Sequence, residues 1–235
     1  VAADGEYTAP TAATAIRGGY VVARAAGLTA VAGVRVFPPL PWKFDFADHP
    51  AGYSPLYWIG GGGKFAVVDL DGDKVLYKRA DVPLYGRART NFGYADMSHY
   101  TLQADVMARE TIINNEAQRP DPGIINQRYV LALLGSPKGR MLQIHVWSPT
   151  LPYSLNRTIP FEWEAGQWYT YKLRVEQHPD KAVIRGKVWK RGEAEPDAWQ
   201  AELEDPRPNR SGSPGVYGFS NDNDIFYDNI LVTEN

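Results

Sequence analysis

The sequence predicts an all-β protein in which two antiparallel sheets pack face to face, preceded by a short extra β segment. Three observations carry this expectation. Helical periodicity is nearly absent, whereas apolar and polar residues alternate in short runs along most of the chain. Gly, Pro, Asn and Asp clusters punctuate those runs at short intervals. The composition agrees: 22 Gly, 18 Pro, 14 Tyr, 8 Phe and 7 Trp among 235 residues suit strands and tight turns. An apolar share of 44% permits a substantial core. Many one-sided strands bury their apolar faces most simply by stacking two sheets.

Taken in order, the Ala-rich opening contains helix formers, but Gly5, Pro10, Gly18 and Gly19 argue against a helix. GGYVVARAAG and LTAVAGVRV read as two strands joined near Gly27. FPPLPW follows, and three prolines in four residues supply no ladder donors, so it reads as a stiff connector and a domain boundary. KFAVVDLDGDKVLYK has a turn at Asp71-Gly72, and HYTLQADVMA is a further strand. GIINQRYVLALL and RMLQIHVW flank SPKG as a hairpin, and QWYTYKLRVEQ and KAVIRGKVWK flank HPD as another. WQAELED, SPGVYGF and DIFYDNILV complete about nine or ten strands after the connector.

Several function classes are excluded early. The net charge of -2 provides no basic field for nucleic acid. The absence of cysteine rules out a disulfide scaffold, a thiolate zinc site and a cysteine nucleophile. No run approaches the roughly 20 apolar residues of a membrane span. The absence of a leader pattern is compatible with earlier removal of one. GGGGK at 60–64 is no phosphate loop, because no helix follows it and no Ser or Thr succeeds Lys64. There is no Gly-x-Ser-x-Gly elbow, and His49, His99, His145 and His178 show no ligand spacing.

Two resemblances refine the picture. GEYTAP followed by VVARAAGLTAVAGVRV is similar to the closing strands of bacterial immunoglobulin-like modules, which implies that residues 1–37 are the C-terminal part of such a module. Half a sandwich exposes a core face, so this segment is expected to belong to a larger multidomain chain. Residues 38–235 resemble the concanavalin-A-like (laminin-G-like) jelly rolls, in particular the 3-keto-disaccharide hydrolase-type domains of secreted bacterial proteins. FDFAD, YTLQADV, PGIINQRY, GQWYTYKLRVE, GKVWKRGEAEPDAW and PGVYGFSNDNDIFYDNILV carry that resemblance in order. It implies a two-sheet antiparallel jelly-roll sandwich, a secreted or cell-envelope location in a bacterium, and neighbouring domains as partners. Such folds host lectins, glycosidases, lyases and inert spacers, so the fold alone does not choose a function.

The candidate site begins at RMLQIHVWSP. Leu142, Ile144 and Val146 form a core face, while Gln143, His145 and Trp147 line the other. In the next hairpin Arg185, Lys187 and Trp189 share a surface with Lys172 and Arg174. Arg128 joins them because Asn126 and Arg128 alternate with Ile125 and Tyr129, and relatives of this type carry an arginine there. If these residues line a concave sheet, then Arg128, Gln143, His145, Trp147, Arg185 and Trp189 form a groove for a polysaccharide or oligosaccharide. Flat rings stack on sugar C–H faces, and Arg, Gln and His bond hydroxyls or carboxylates. The plainer alternative is a solvated face covered by long Lys and Arg stems.

A third reading is catalytic. Gln143-Ile144-His145 resembles the Q-[IV]-H strand of jelly-roll alginate lyases, which implies a His working with a distant Tyr. The two other strands of that family are not matched: Arg89-Thr90-Asn91 lacks the glutamate, and no YFKAG-like segment occurs. Glu162, Glu164 and Glu176 do not have the spacing of paired glycosidase carboxylates. The expected function is therefore a non-catalytic carbohydrate-binding or accessory module. A lyase or glycosidase using His145, and a spacer without ligand, stand as alternatives. The jelly-roll resemblance also implies a structural calcium, with Asp45 and Asp48 near one end of the chain and Asp228 near the other as ligands. Ala47 stands where relatives often place a glutamate, and DLDGDK reads as a hairpin turn.

Overall fold

A computed structural model describes residues 14–79, 86–135, 140–147, 154–220 and 223–235. All sheet pairings among them are antiparallel, and no helix interrupts the strands. The first two strands, β1 (Arg17–Ala25) and β2 (Leu28–Val36), form a separate two-stranded sheet in unbroken register. Ala26 and Gly27 both have positive φ, 49° and 77°, the backbone that a two-residue hairpin turn of matching twist requires. Tyr20, Val22, Leu28 and Val31 on this hairpin are exposed. Its root sits against the rest of the molecule at Gly18, where a Cβ would lie 3.0 Å from the Tyr57 amide nitrogen.

The connector is anchored. Phe37 is buried, its ring 4.7 Å from Trp42, and the Trp42 indole donates to the Pro38 carbonyl at 2.7 Å. Beyond it lie two stacked sheets. The smaller has six strands: β13 (Asn156–Pro160), β12 (Met141–Val146), β11 (Tyr129–Leu134), β10 (Asp121–Asn126), β17 (Gly215–Phe219) and β6 (Arg87–Asn91), in that spatial order. The larger runs β16 (Ala201–Asp205), β15 (Ala182–Lys190), β14 (Trp168–Gln177), β7 (Tyr100–Ala108), β18 (Ile225–Glu234), β5 (Asp73–Lys78) and β4 (Phe65–Leu70). The short β3 (Trp42–Phe44) pairs with the end of β18, so the first and last strands of the sandwich are neighbours. A small hairpin, β8 (Thr111–Ile113) with β9 (Glu116–Gln118), stands outside both sheets.

Alternation decides what enters the space between the sheets. Ile124, Leu131, Leu133, Leu142, Ile144 and Val216 come from the six-stranded sheet. Leu102, Val106, Tyr171, Leu173, Val175, Ile184 and Val188 come from the other. Burying each such aliphatic side chain contributes about 1.5–3 kcal/mol. The sheets approach closely at Gly186, where a Cβ would meet Leu131 Cδ1 at 2.6 Å and Ile144 Cδ1 at 3.2 Å. Two polar side chains are buried here with partners. Asn126 donates to the Tyr100 and Leu173 carbonyls at 2.7 and 3.1 Å, joining one sheet to the other. Lys78 reaches the Ser220 carbonyl at 3.2 Å, and burial lowers its pKa from 10.5 to about 8.

Two sequence expectations change. GIINQRYVLALL is two strands, turned at Gln127 and Arg128 with φ of 50° and 75°. Neither central residue of this turn is Gly, Asn or Pro, and its amide is met by the Tyr100 hydroxyl, 3.2 Å from the Gln127 nitrogen. Arg128 is therefore a turn residue, and Asn126 points into the core. The strand count also exceeds nine or ten, because β3, β6, β8, β9 and β13 are three to five residues long, too short to show a clear alternation. The SPKG turn lies outside the described residues.

Candidate ligand-binding face

The outward face of the six-stranded sheet can be assembled strand by strand from the register. Ile144 and Leu142 go inward, so Gln143 and His145 go outward, opposite Thr158 and Asn156 on β13 and Ala132 and Val130 on β11. Ala88 goes inward, so Arg87, Arg89 and Asn91 of β6 go outward. Val216 is a core residue, so Tyr217 and Phe219 share the outward face with Arg87 and Arg89 on their neighbouring strand. On β10, Asp121 and Ile125 complete the row.

This face is not a bare wet surface. Ile125, Val130, Ala132 and Tyr217 form a second apolar cluster on it, with Leu134 and Trp147 packed alongside. Trp147 follows β12, and its amide donates to the Arg128 carbonyl at 2.8 Å. Its ring lies 5.9 Å from Tyr217, and the His145 ring lies 6.1 Å from Tyr217 at 76°. Two guanidiniums lie over the indole, Arg89 at 4.8 Å and Arg87 at 5.6 Å, and Arg87 also lies 5.2 Å from the Phe219 ring. A cavity of about 320 Å³ opens beside Trp147, lined by Ile59, Arg89, Asn91, Ile125, Arg128 and Ser213.

Electrostatics here follow from burial. His145 is pushed down from 6.5 to about 4, first by burial and second by the Arg87 charge, so the imidazole is neutral at pH 7. Its Nδ1 is buried and has no partner among the described residues. Burial raises Asp121, against a hydrogen bond from the Gly135 amide at 2.8 Å and the Arg87 charge. Burial also raises the Tyr217 hydroxyl, whose side chain is hydrogen-bonded by Arg87.

The residues singled out from sequence are divided by the fold. Arg128, His145 and Trp147 come together, with Arg128 and Trp147 facing one cavity. Gln143 lies on the same face two residues from His145, its amide donating to Thr158 Oγ1 at 2.9 Å. Arg185 and Trp189 are on β15, in the eight-stranded sheet on the opposite side of the sandwich. Lys172, Arg174, Arg185 and Lys187 do share one face, across the registers Lys172–Lys187 and Arg174–Arg185. That face neutralises itself. Arg185 meets Glu202 at 2.6 Å and Glu176 at 2.5 Å, Arg174 meets Glu176 at 2.7 Å, and Glu195 bridges Lys172 and Lys187 at 2.9 and 2.7 Å.

Arg87, Arg89, Asp121 and Tyr217 were not among the residues singled out. RARTN carries the needed signal, since Arg87, Arg89 and Asn91 alternate with Ala88 and Thr90. Tyr217 sits between Val216 and Gly218, too short a pattern to assign a face.

The acids expected to hold calcium have the following surroundings. Asp45 is exposed and pairs with Lys43 at 3.6 Å, and Asp48 is exposed. Asp228 is buried beside Asn229, whose amide bridges it to Asp105 at 2.9 and 3.0 Å. One oxygen of Asp228 is buried without a partner, yet among the described residues no group of three or more His, Asp or Glu is placed to hold a metal ion. A larger cavity, about 560 Å³, lies at the hairpin root among Ile16, Gly18, His49, Pro55, Leu56 and Tyr57, with no lining residue from the six-stranded sheet.

No family model matches the sequence, and no curated protein sequence does. Solved structures do. A lectin UEA-II complexed with galactose superposes with a TM-score of 0.52 at 9% identity, over 83% of this chain and 98% of that one. Lectin II from Ulex europaeus gives 0.49 at 7% identity, covering 83% and 97%. An endo-1,3-beta-glucanase from Streptomyces sioyaensis gives 0.42 at 11% identity, covering 82% and 88%. The fold is the concanavalin-A-like jelly roll.

Proposed function

We propose that the outward face of the six-stranded sheet binds carbohydrate, and that the chain serves as a non-catalytic binding or accessory module of a larger exported bacterial protein. The observation that carries the reading is the cluster around Trp147. The Trp147 indole and the Arg89 and Arg128 guanidiniums line a hollow, with the Tyr217 ring and the Arg87 guanidinium packed against the indole beside it. Aromatic rings offer flat apolar platforms to sugar rings, and guanidiniums supply fork-shaped donors to hydroxyl or carboxylate oxygens. The galactose-bound lectin of the same fold supports the reading by fold analogy alone.

Replacing Trp147 with Ala tests it. In affinity electrophoresis through polysaccharide gels, retention of Trp147→Ala is expected to fall about tenfold, the loss of roughly 1.4 kcal/mol. Far-ultraviolet circular dichroism should stay that of the parent. Equal retention of variant and parent overturns the assignment.

One observation favours a second reading, a polysaccharide lyase. A neutral His145 stands beside Tyr217, with Arg87 available to offset a substrate carboxylate. A base, a phenolic acid and a cation are what proton abstraction next to a uronate carboxylate needs. Incubation with uronic-acid polymers decides it: growth of the absorbance of unsaturated chain ends establishes the lyase, and a flat trace with retained binding establishes the binding module. A glycosidase is less well served, because Asp121 is the single carboxylate among the outward strand positions of this sheet and the reaction uses two.

A further inference from the structure

We infer that the ligand of this face is an anionic glycan, one carrying carboxylate or sulfate groups. The inference rests on the carbohydrate-binding reading and narrows it. It comes from a contrast between the two outer faces. On the eight-stranded sheet each outward strand cation, Lys172, Arg174, Arg185 and Lys187, has a glutamate within salt-bridge distance. Some arginines elsewhere are paired as well, Arg109 with Asp224, Arg119 with Glu110 and Arg140 with Glu162, although Arg17, Arg24, Arg35, Arg157 and Arg210 have no acid within salt-bridge distance among the described residues.

Arg87, Arg89 and Arg128 differ from the outward cations of the eight-stranded sheet. Among the described residues none has a carboxylate within 4 Å; their partners are the Trp147 and Phe219 rings, Tyr217 and the Asn209 side-chain oxygen. The one acid on the face, Asp121, acts on Arg87 at longer range, and it is occupied by the Gly135 amide. Two guanidiniums, Arg89 and Arg128, thus line one hollow, and a third, Arg87, lies against the Trp147 ring at its side, with one carboxylate on the face. Like charges gathered without counter-charges repel one another, an arrangement that an arriving anion relieves. The Trp147 ring lies under the Arg87 and Arg89 guanidiniums, and a guanidinium offers bidentate donors to carboxylate or sulfate oxygens. Neutral sugar hydroxyls would be bound as well by amides and would not call for this excess of cation.

The test measures retention of the parent, Arg89→Gln, Trp147→Ala and Lys172→Gln in gels of polygalacturonate, dextran sulfate and unmodified dextran. The parent is expected to be retained by one or both anionic polymers at least about tenfold more strongly than by dextran, an effect that shrinks as salt is raised to about 1 M. Preference for polygalacturonate identifies a carboxylate ligand, and preference for dextran sulfate a sulfate ligand. Arg89→Gln should lose that preference, and Lys172→Gln on the opposite face should keep it. Equal retention on dextran and the anionic polymers, reduced by Trp147→Ala and untouched by Arg89→Gln, overturns the anionic assignment while sparing carbohydrate binding. No retention in any gel overturns both.

Discussion

At the scale of single residues, two side chains carry costs that the sequence does not disclose. Asp228 is 3% exposed, and burial raises its carboxyl from 3.8 to about 6, with the Asn229 amide opposing and Asp73 and Asp105 adding. Its folded pKa lies above its unfolded one, so the native state holds the proton more tightly between those values. Stability therefore falls as pH rises from 3.8 to 6 and stays reduced above it. Asp228→Asn removes the ionisation and leaves an amide oxygen to accept from Asn229. The expected outcome at pH 7 is a gain of up to about 2–3 kcal/mol in urea unfolding, vanishing near pH 3. A loss at pH 7 would show that the ionised carboxylate has a partner there, for which added calcium is the first to try. Arg128 carries the other cost, a left-handed backbone with φ of 75° on a residue with a Cβ. Arg128→Gly should raise stability by up to about 1 kcal/mol while weakening glycan retention, because it relieves the left-handed backbone and removes a guanidinium that lines the hollow. If both stability and retention were unchanged, Arg128 would be an ordinary turn residue.

At the scale of strands, the faces were legible and their assembly was not. Alternation is a local property, so Leu142 and Ile144 against Gln143 and His145, and Tyr171 and Leu173 against Lys172 and Arg174, could be sorted by eye. Pairing is nonlocal. β17 inserts between β10 and β6, and β7 between β14 and β18, across separations that no local pattern records. That is why Arg185 and Trp189 seemed to belong with His145 and Trp147, although the two strands lie in different sheets. Short polar strands escaped for a related reason. RARTN contributes Arg87 and Arg89 to the site, but its apolar alternation rests on one alanine, Ala88. Gln127-Arg128 escaped because tertiary contacts, the Tyr100 hydroxyl among them, force a turn that the residues themselves do not favour.

At the scale of the whole molecule, one sandwich presents two polar faces with opposite electrical habits. The eight-stranded sheet carries many charges and pairs them internally, which suits a surface meant for water. The six-stranded sheet carries fewer charges, leaves its arginines without acids and sets them against rings around a cavity, which suits a surface meant for a ligand. The hairpin of residues 17–36 stands apart from both and exposes Tyr20, Val22, Leu28 and Val31, in keeping with the proposal that it is completed by a neighbouring domain. The claim that the ligand face belongs to the six-stranded sheet is tested most directly by following tryptophan indole N–H resonances in ¹⁵N-labelled protein as polygalacturonate oligosaccharides are added, with Trp147→Phe and Trp189→Phe assigning the two signals. The account predicts that the Trp147 indole shifts progressively while that of Trp189 stays still; movement of Trp189 with a stationary Trp147 would contradict it.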